Sequence, residues 1–160
     1  MSPVITRVTP RRAMPKELPA LSLTAAQRAD THMLASLLLD YPDADWFAAL
    51  PALRGFAAKL PAPLAEAFES FISQAEVAGP FALQRLYVTT FDLKRKCSLY
   101  LSYYATGDTR RRGVALVTFL EAYRAAGWEF DSSDLPDFLP AVLEFSARSK
   151  SDIADALIAS

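Results

Sequence analysis

The chain has one cysteine, Cys97, and one histidine, His32, so a Cys–His nucleophile pair could be built in only one way. Both lie in or beside the apolar stripe of a helical segment. There a thiol is usually a small buried hydrophobe, and a histidine a cap or a surface group. We expect Cys97 to be buried and inert. Structural zinc sites draw on several Cys and His ligands, so no metal is expected. Asp131 and Asp134 could do acid–base work, but such pairs more often cap turns on a solvated face. The five glycines, Gly55, Gly79, Gly107, Gly113 and Gly127, form neither GxGxxG nor GxxxxGK[ST], which leaves no phosphate-cradling loop. We expect no catalytic residue, no cofactor and no enzyme.

The most unusual stretch is YVTTFDLKRKCSLYLSYYATGDTRRRG, Tyr87 to Gly113. Two basic triplets, Lys94-Arg95-Lys96 and Arg110-Arg111-Arg112, flank a tyrosine-rich turn. The second falls in the first turn of a helix, where positive charge opposes the dipole at a cost of up to ~1 kcal/mol. It is either a patch for an acidic partner or a set of internal pairs with Asp92, Asp131 or Asp134. Tyr100, Tyr103 and Tyr104 beside basic residues also allow a stacking platform for single-stranded nucleic acid. The net charge of −1 argues against that alternative.

The elements that carry these residues read as helical throughout. Residues 1–20 form a basic tail broken by Pro3, Pro10, Pro15 and Pro19, expected to be disordered; residues 21–160 form one all-α domain. Thr24 to Gln27 is a capping box. Its helix carries Met33, Leu34, Leu37 and Leu38 and ends at Tyr41-Pro42. Residues 43–60 are helical, broken near Pro51 and Gly55. Pro63 opens a helix that Gly79 closes. Pro80 opens another, with Leu83, Leu86, Tyr87 and Phe91 on one side. A further turn places Cys97, Tyr100, Leu101 and Tyr104 at helical spacing, and Gly107 stops it. Asp108 caps a helix with Leu116, Phe119, Leu120 and Tyr123, ended by Gly127. Asp134 caps a helix with Leu135, Phe138, Leu139, Val142 and Leu143 in line. Ser151 caps a last one. The architecture predicted is a single bundle of about seven helices. With 52% hydrophobic residues, the core is ample. No apolar run reaches the ~18–20 residues that span a bilayer. The N-terminal arginines precede no apolar stretch of a secretory signal. With one thiol there is no internal disulfide, and a cytoplasmic protein without stable membrane insertion is expected.

Six stretches stand out in order along the chain: Leu37-Leu-Leu-Asp-Tyr-Pro-Asp43; Tyr87-x-x-x-Phe91-Asp92; Cys97 to Tyr104; Gly107-Asp-Thr-Arg-Arg-Arg-Gly113; Ala122 to Glu129; and Leu135-Pro-Asp137 followed by Leu139 to Phe145. In this order and spacing the chain resembles the delta-subunit chaperones of respiratory nitrate reductase, the NarJ group within the NarJ/TorD family. The resemblance implies an all-α fold. It implies binding to the N-terminal segment of the apo catalytic (alpha) subunit, which is held competent for molybdenum-cofactor insertion before membrane docking. It implies no catalytic turnover and no stable place in the finished enzyme; with the weak net charge, no nucleic-acid partner is expected. The client-peptide site is then expected on Tyr87, Phe91 and Asp92, on Tyr100 and Tyr104, on Asp108, Arg110, Arg111 and Arg112, and on Leu135, Pro136, Asp137 and Phe138. Tyr87, Phe91 and Phe138 would form its apolar floor, with the arginines at the rim. Asp134 and Asp137 would meet either a basic client residue or the arginines. Phe138 stands where the family usually has histidine, so no polar role carries over to it. The chain is also short for this group; a missing terminal helix would expose apolar surface and favour a homodimer.

Overall fold

In the computed structural model, residues 20–107, 109–149 and 151–159 are described. The expectation for the N-terminal tail and the capping role of Asp108 lie outside them. Seven α-helices and no strand occur among the described residues, as the periodicity predicts.

Helix α1, Ala25–Leu38, begins at the expected capping box. The Thr24 hydroxyl accepts from the Gln27 N–H at 3.1 Å, and the Gln27 side chain accepts from the Thr24 N–H at 3.0 Å. Helix α2, Ala44–Ala57, is capped by Asp43, whose carboxylate accepts from the Trp46 N–H at 2.9 Å. The break expected near Pro51 and Gly55 does not occur: α2 runs through both. An internal proline costs about 3 kcal/mol. Trp46, Leu50 and Ala57 are all buried on one face; a single buried large apolar side chain contributes roughly 1.5–3 kcal/mol, so the stripe outweighs the lost hydrogen bond.

Helix α3, Ala62–Tyr87, carries Pro63 in its first turn and is kinked at Gly79 (φ 78°, ψ 170°). The Gly79-Pro80 pair thus separates two helical arms, as read from the sequence. No atom lies within 4 Å of a Cβ added at Gly79, so Gly79→Ala meets only conformational strain. We predict a loss of ~1–3 kcal/mol in a urea melt; unchanged stability would show that this kink is not fixed.

Beyond α3 the chain departs from the helical reading. A π-helical turn covers Val88–Asp92 and a 3-10 turn Arg95–Cys97. Residues 99–101 then lie antiparallel to 137–139: the Leu101 N–H donates to the Asp137 carbonyl at 3.1 Å and the Leu139 N–H to that of Leu99 at 2.7 Å. Cys97, Tyr100, Leu101 and Tyr104 therefore do not share one helix, and helix α4 is only Ser102–Thr106. The same pairing delays the helix expected from Asp134. Pro136 disfavours helical backbone at Leu135, and the backbone groups of 137 and 139 are engaged across the pair. Helix α6 is Leu139–Arg148, with Phe138 rather than Asp134 before it. Cys97 is half-buried rather than enclosed. Helix α5, Arg111–Ala125, ends before Gly127 (φ 83°), and α7 is Asp152–Ala159.

Two apolar clusters result. One joins α1, α2 and α3 through Leu34, Leu38, Trp46, Leu50 and Ile72; the other joins α5, α6 and α7 through Phe119, Tyr123, Val142, Phe145 and Ala154. Helices α1 and α6 run antiparallel and hold the clusters together. The Ser36 hydroxyl donates to the Pro140 carbonyl at 2.6 Å, and His32 Nδ1 lies 2.9 Å from the Ser146 hydroxyl. Burial, reinforced by the charge of Arg28 and opposed by Asp155, lowers the His32 pKa below its ordinary 6.5. The unfolded chain then binds the proton more readily. We predict that this contribution to stability is present above pH 6.5 and is lost as pH falls through the folded-state pKa. His32→Gln should flatten that part of a stability–pH curve; an unchanged slope would contradict it.

Candidate functional site

Several predicted residues gather where α3 ends near the 99–101/137–139 pair. Tyr87, half-buried, packs edge-on against Tyr41 at 5.4 Å and Phe91 at 4.9 Å. Its hydroxyl is pushed up to about 12, first by burial and then by Asp40, Asp92, Tyr100 and Asp134, so these groups share one electrostatic neighbourhood. The Tyr100 and Phe138 rings lie 5.2 Å apart. The Tyr100 hydroxyl reaches Asp134 at 3.5 Å, and burial followed by Asp134 raises its pKa. The Arg112 guanidinium stands 5.7 Å from the Tyr100 ring centre.

Two cavities open on this region. One, of ≈ 150 Å³, is apolar, lined by residues including Leu38, Trp46, Phe71, Leu83, Tyr87 and Phe91. The other, of ≈ 440 Å³, lies along α1, the 128–134 segment and α6. Phe130, Phe138 and Phe145 line it, with Trp128 at one end. Five carboxylates, Asp40, Glu129, Asp131, Asp134 and Glu144, face one guanidinium, Arg148. Arg148 is already paired with Glu144 at 2.9 Å and stacked 4.6 Å over Trp128. Asp40 lines both cavities, so they adjoin there. An apolar side chain and neighbouring cations of one ligand could be served together.

The remaining predicted residues hold the frame. Asp137 is fully buried; one oxygen accepts from the Ser102 N–H at 2.9 Å and the Ser102 hydroxyl at 2.6 Å. Arg112 donates to that same hydroxyl at 3.3 Å. The buried Pro136 carbonyl accepts from the Tyr123 hydroxyl at 2.5 Å. Tyr104 donates to the Ser98 carbonyl at 2.8 Å and so pins the turn before it. Arg110, Arg111, Asp92 and Leu135 are exposed. Arg110, Arg111 and Arg112, expected at the rim, line neither cavity; the larger one is acid-lined instead, a set that sequence reasoning did not assemble. Asp40, Glu129 and Glu144 stand within the six stretches singled out in the sequence, but on elements far apart along the chain. Among the described residues no cluster of metal-ligating side chains occurs, and no helix is long and apolar enough to cross a membrane.

The profile of the nitrate reductase delta subunit family matches residues 57–159. The chain is 32% identical to the probable nitrate reductase molybdenum cofactor assembly chaperone NarJ of Bacillus subtilis, over 82% of this chain and 72% of that protein. It is 34% identical to the nitrate reductase molybdenum cofactor assembly chaperone NarJ of Escherichia coli K12, over 72% of this chain and 50% of that one. It is 37% identical to the nitrate reductase-like protein NarX of Mycobacterium tuberculosis, over 71% of this chain. The chain spans only 17% of NarX and half of the Escherichia coli protein. With a family profile over most of its length and a relative matched over nearly three-quarters of that relative's own, the chain belongs to the nitrate reductase delta subunit family.

Proposed function

We propose that this protein is a non-catalytic assembly chaperone for a molybdenum-containing nitrate reductase. It binds the N-terminal segment of the apo catalytic subunit, in the cytoplasm, and keeps that subunit competent for cofactor insertion. The observation that carries the reading is the junction at Asp40 of an apolar cavity with an acid-lined aromatic groove, in a chain whose relatives are named as cofactor assembly chaperones. A client of one kind needs a groove, not a reactive centre. The lining favours a segment that carries bulky apolar side chains beside Lys or Arg.

Burying ~500 Å² of apolar surface gives a gross term near 12 kcal/mol at ~25 cal/mol per Å². Ordering the peptide and losing its translational freedom remove much of it. Micromolar to nanomolar affinity follows. The nucleic-acid alternative fits less well, because five carboxylates repel phosphate and the hydroxyl of Tyr104 is tied to backbone. The test is calorimetric titration of a synthetic peptide of the N-terminal residues of the catalytic subunit encoded in the same genome, with a scrambled peptide beside it. Saturable one-to-one binding of the native order alone is expected. Equal binding of both peptides, or of neither, would remove the N-terminal segment as the client.

A further inference from the structure

The two basic triplets belong to neither cavity. From Leu93 to Val114 the chain carries six cations and one acid, Asp108, within a total net charge of −1. Lys94, Arg95, Lys96, Arg110 and Arg111 are exposed. None of these five side chains makes an ion pair among the described residues, so they do not form the internal pairs with Asp92, Asp131 or Asp134 that the sequence left open. Arg110 and Arg111 also stand at the start of α5, where positive charge opposes the helix dipole. They do not serve the stability of that helix. Both triplets adjoin α4. The Tyr104 hydroxyl donates to the Lys96 carbonyl at 3.3 Å, and Arg112 Nε donates to the Ser102 hydroxyl at 3.3 Å. Helix α4 has five residues, about 7 Å of axis, so the triplets flank a small area. We propose that this basic surface around α4, with the apolar side chains that project among its cations, adsorbs to an anionic bilayer surface.

Two features select a bilayer over an acidic protein or a nucleic acid. The first is the apolar content. Leu93 is 71% exposed, Val114 72% and Tyr104 57%. Arg110, Val114 and Val117 share the outer face of α5 by helical spacing, while Phe119 and Tyr123 on the same helix enter the core. Isolated aliphatic side chains among cations gain nothing from a phosphate backbone or a carboxylate. At a bilayer they enter the acyl boundary while Lys and Arg stay among the headgroups. The second is shape. None of these residues lines either cavity, so no groove is formed here to hold an extended acidic chain, whereas a planar surface needs none. Each Lys or Arg brought to an anionic surface strengthens binding about fivefold. Five unpaired cations therefore suffice for reversible adsorption at low ionic strength. Among the described residues no helix can cross the membrane, so the association is peripheral. It goes beyond the chaperone function proposed above and does not depend on it.

The experiment is co-sedimentation of the full chain with vesicles of phosphatidylcholine alone, or with about 40% phosphatidylglycerol. At about 0.05 M salt the anionic vesicles are expected to retain the protein and the neutral ones to leave it in solution. Raising salt to about 0.5 M should release it, because the charges are screened. K94Q/R95Q/K96Q should weaken partitioning ~30–100-fold and R110Q/R111Q ~10–25-fold. K59Q, which removes an exposed cation in the α2–α3 connection, should behave like wild type. L93S/V114S should weaken it about tenfold with the salt dependence unchanged, since an apolar contact is lost. All the substituted side chains are exposed, and equal urea midpoints would report an intact fold. Equal binding to both vesicle types, or none to the anionic ones at low salt, overturns the proposal. Unchanged partitioning of either cation variant overturns the single surface around α4. If L93S/V114S binds anionic vesicles like wild type, while polyglutamate or oligodeoxythymidine binds the protein as tightly as the vesicles do, the surface serves an acidic macromolecule and the bilayer is overturned as its partner. No arm uses a client peptide, so these outcomes stand apart from the test of the chaperone function.

Discussion

Replacing Asp137 by alanine should lower the stability of this protein by about 3 kcal/mol. The side chain is wholly enclosed, and one of its oxygens serves both the N–H and the hydroxyl of Ser102. Removing it strands two buried donors, each costing ~1–3 kcal/mol. A fold of this size has only ~5–15 kcal/mol to lose. The change also loosens the meeting of residues 99–101 with 137–139, which Ser102 adjoins. Asp137→Asn should be milder, about 1–2 kcal/mol. Its carbonyl can keep serving Ser102, and its amide takes the place of the second oxygen, which has no hydrogen-bond partner. Urea melts should show a lower midpoint at an unchanged slope. Peptide affinity per folded molecule should stay within about twofold, because Asp137 faces the frame and not the groove. If Asp137→Asn kept normal stability while peptide binding collapsed, Asp137 would be a client contact and this account of its burial would be wrong.

Asp137 also shows what can be read in a sequence and what cannot. Local, short-range chemistry was legible: the Thr24–Gln27 box, the Gly79-Pro80 break and the Gly127 stop all involve residues within four positions of one another. Pro51 misled because its local penalty is outweighed by burial of Trp46, Leu50 and Ala57, a tertiary effect. The Cys97–Tyr104 spacing misled for the same kind of reason. Its residues are compatible with a helix, but the backbone of 99–101 is engaged by a segment nearly 40 residues away. That engagement also removes Asp134 from a helix cap and places it at the groove. Tyr87, Phe91 and Phe138 were named as an apolar floor, and they line two adjoining cavities. The acids were missed as a set, since Asp40, Glu129 and Glu144 meet only when α1, α5 and α6 are packed.

Neutralising the groove should therefore separate binding from folding. In a Glu129→Gln, Asp131→Asn, Asp134→Asn variant, the affinity for the N-terminal peptide of the catalytic subunit is expected to fall ~10–100-fold. All three carboxylates are exposed, and an exposed ion pair contributes roughly 0.2–1 kcal/mol. Three such pairs lost together amount to ~1–3 kcal/mol, where each 1.4 kcal/mol is tenfold. Stability should stay equal or rise slightly, because like charges are being removed from one another's neighbourhood. Glu144 is left in place because it holds Arg148. Salt supplies the second arm of the measurement. Wild-type affinity should decline as ionic strength rises, and the variant should show a much flatter dependence, because the charges that salt screens are gone. Phe138→Ala should behave differently: affinity falls by about tenfold with the salt slope intact, since an apolar contact is lost. A neutralised groove that binds the peptide as tightly as wild type, with the same salt slope, would show that the cations of the client meet other acids and that the segment lies elsewhere on the protein.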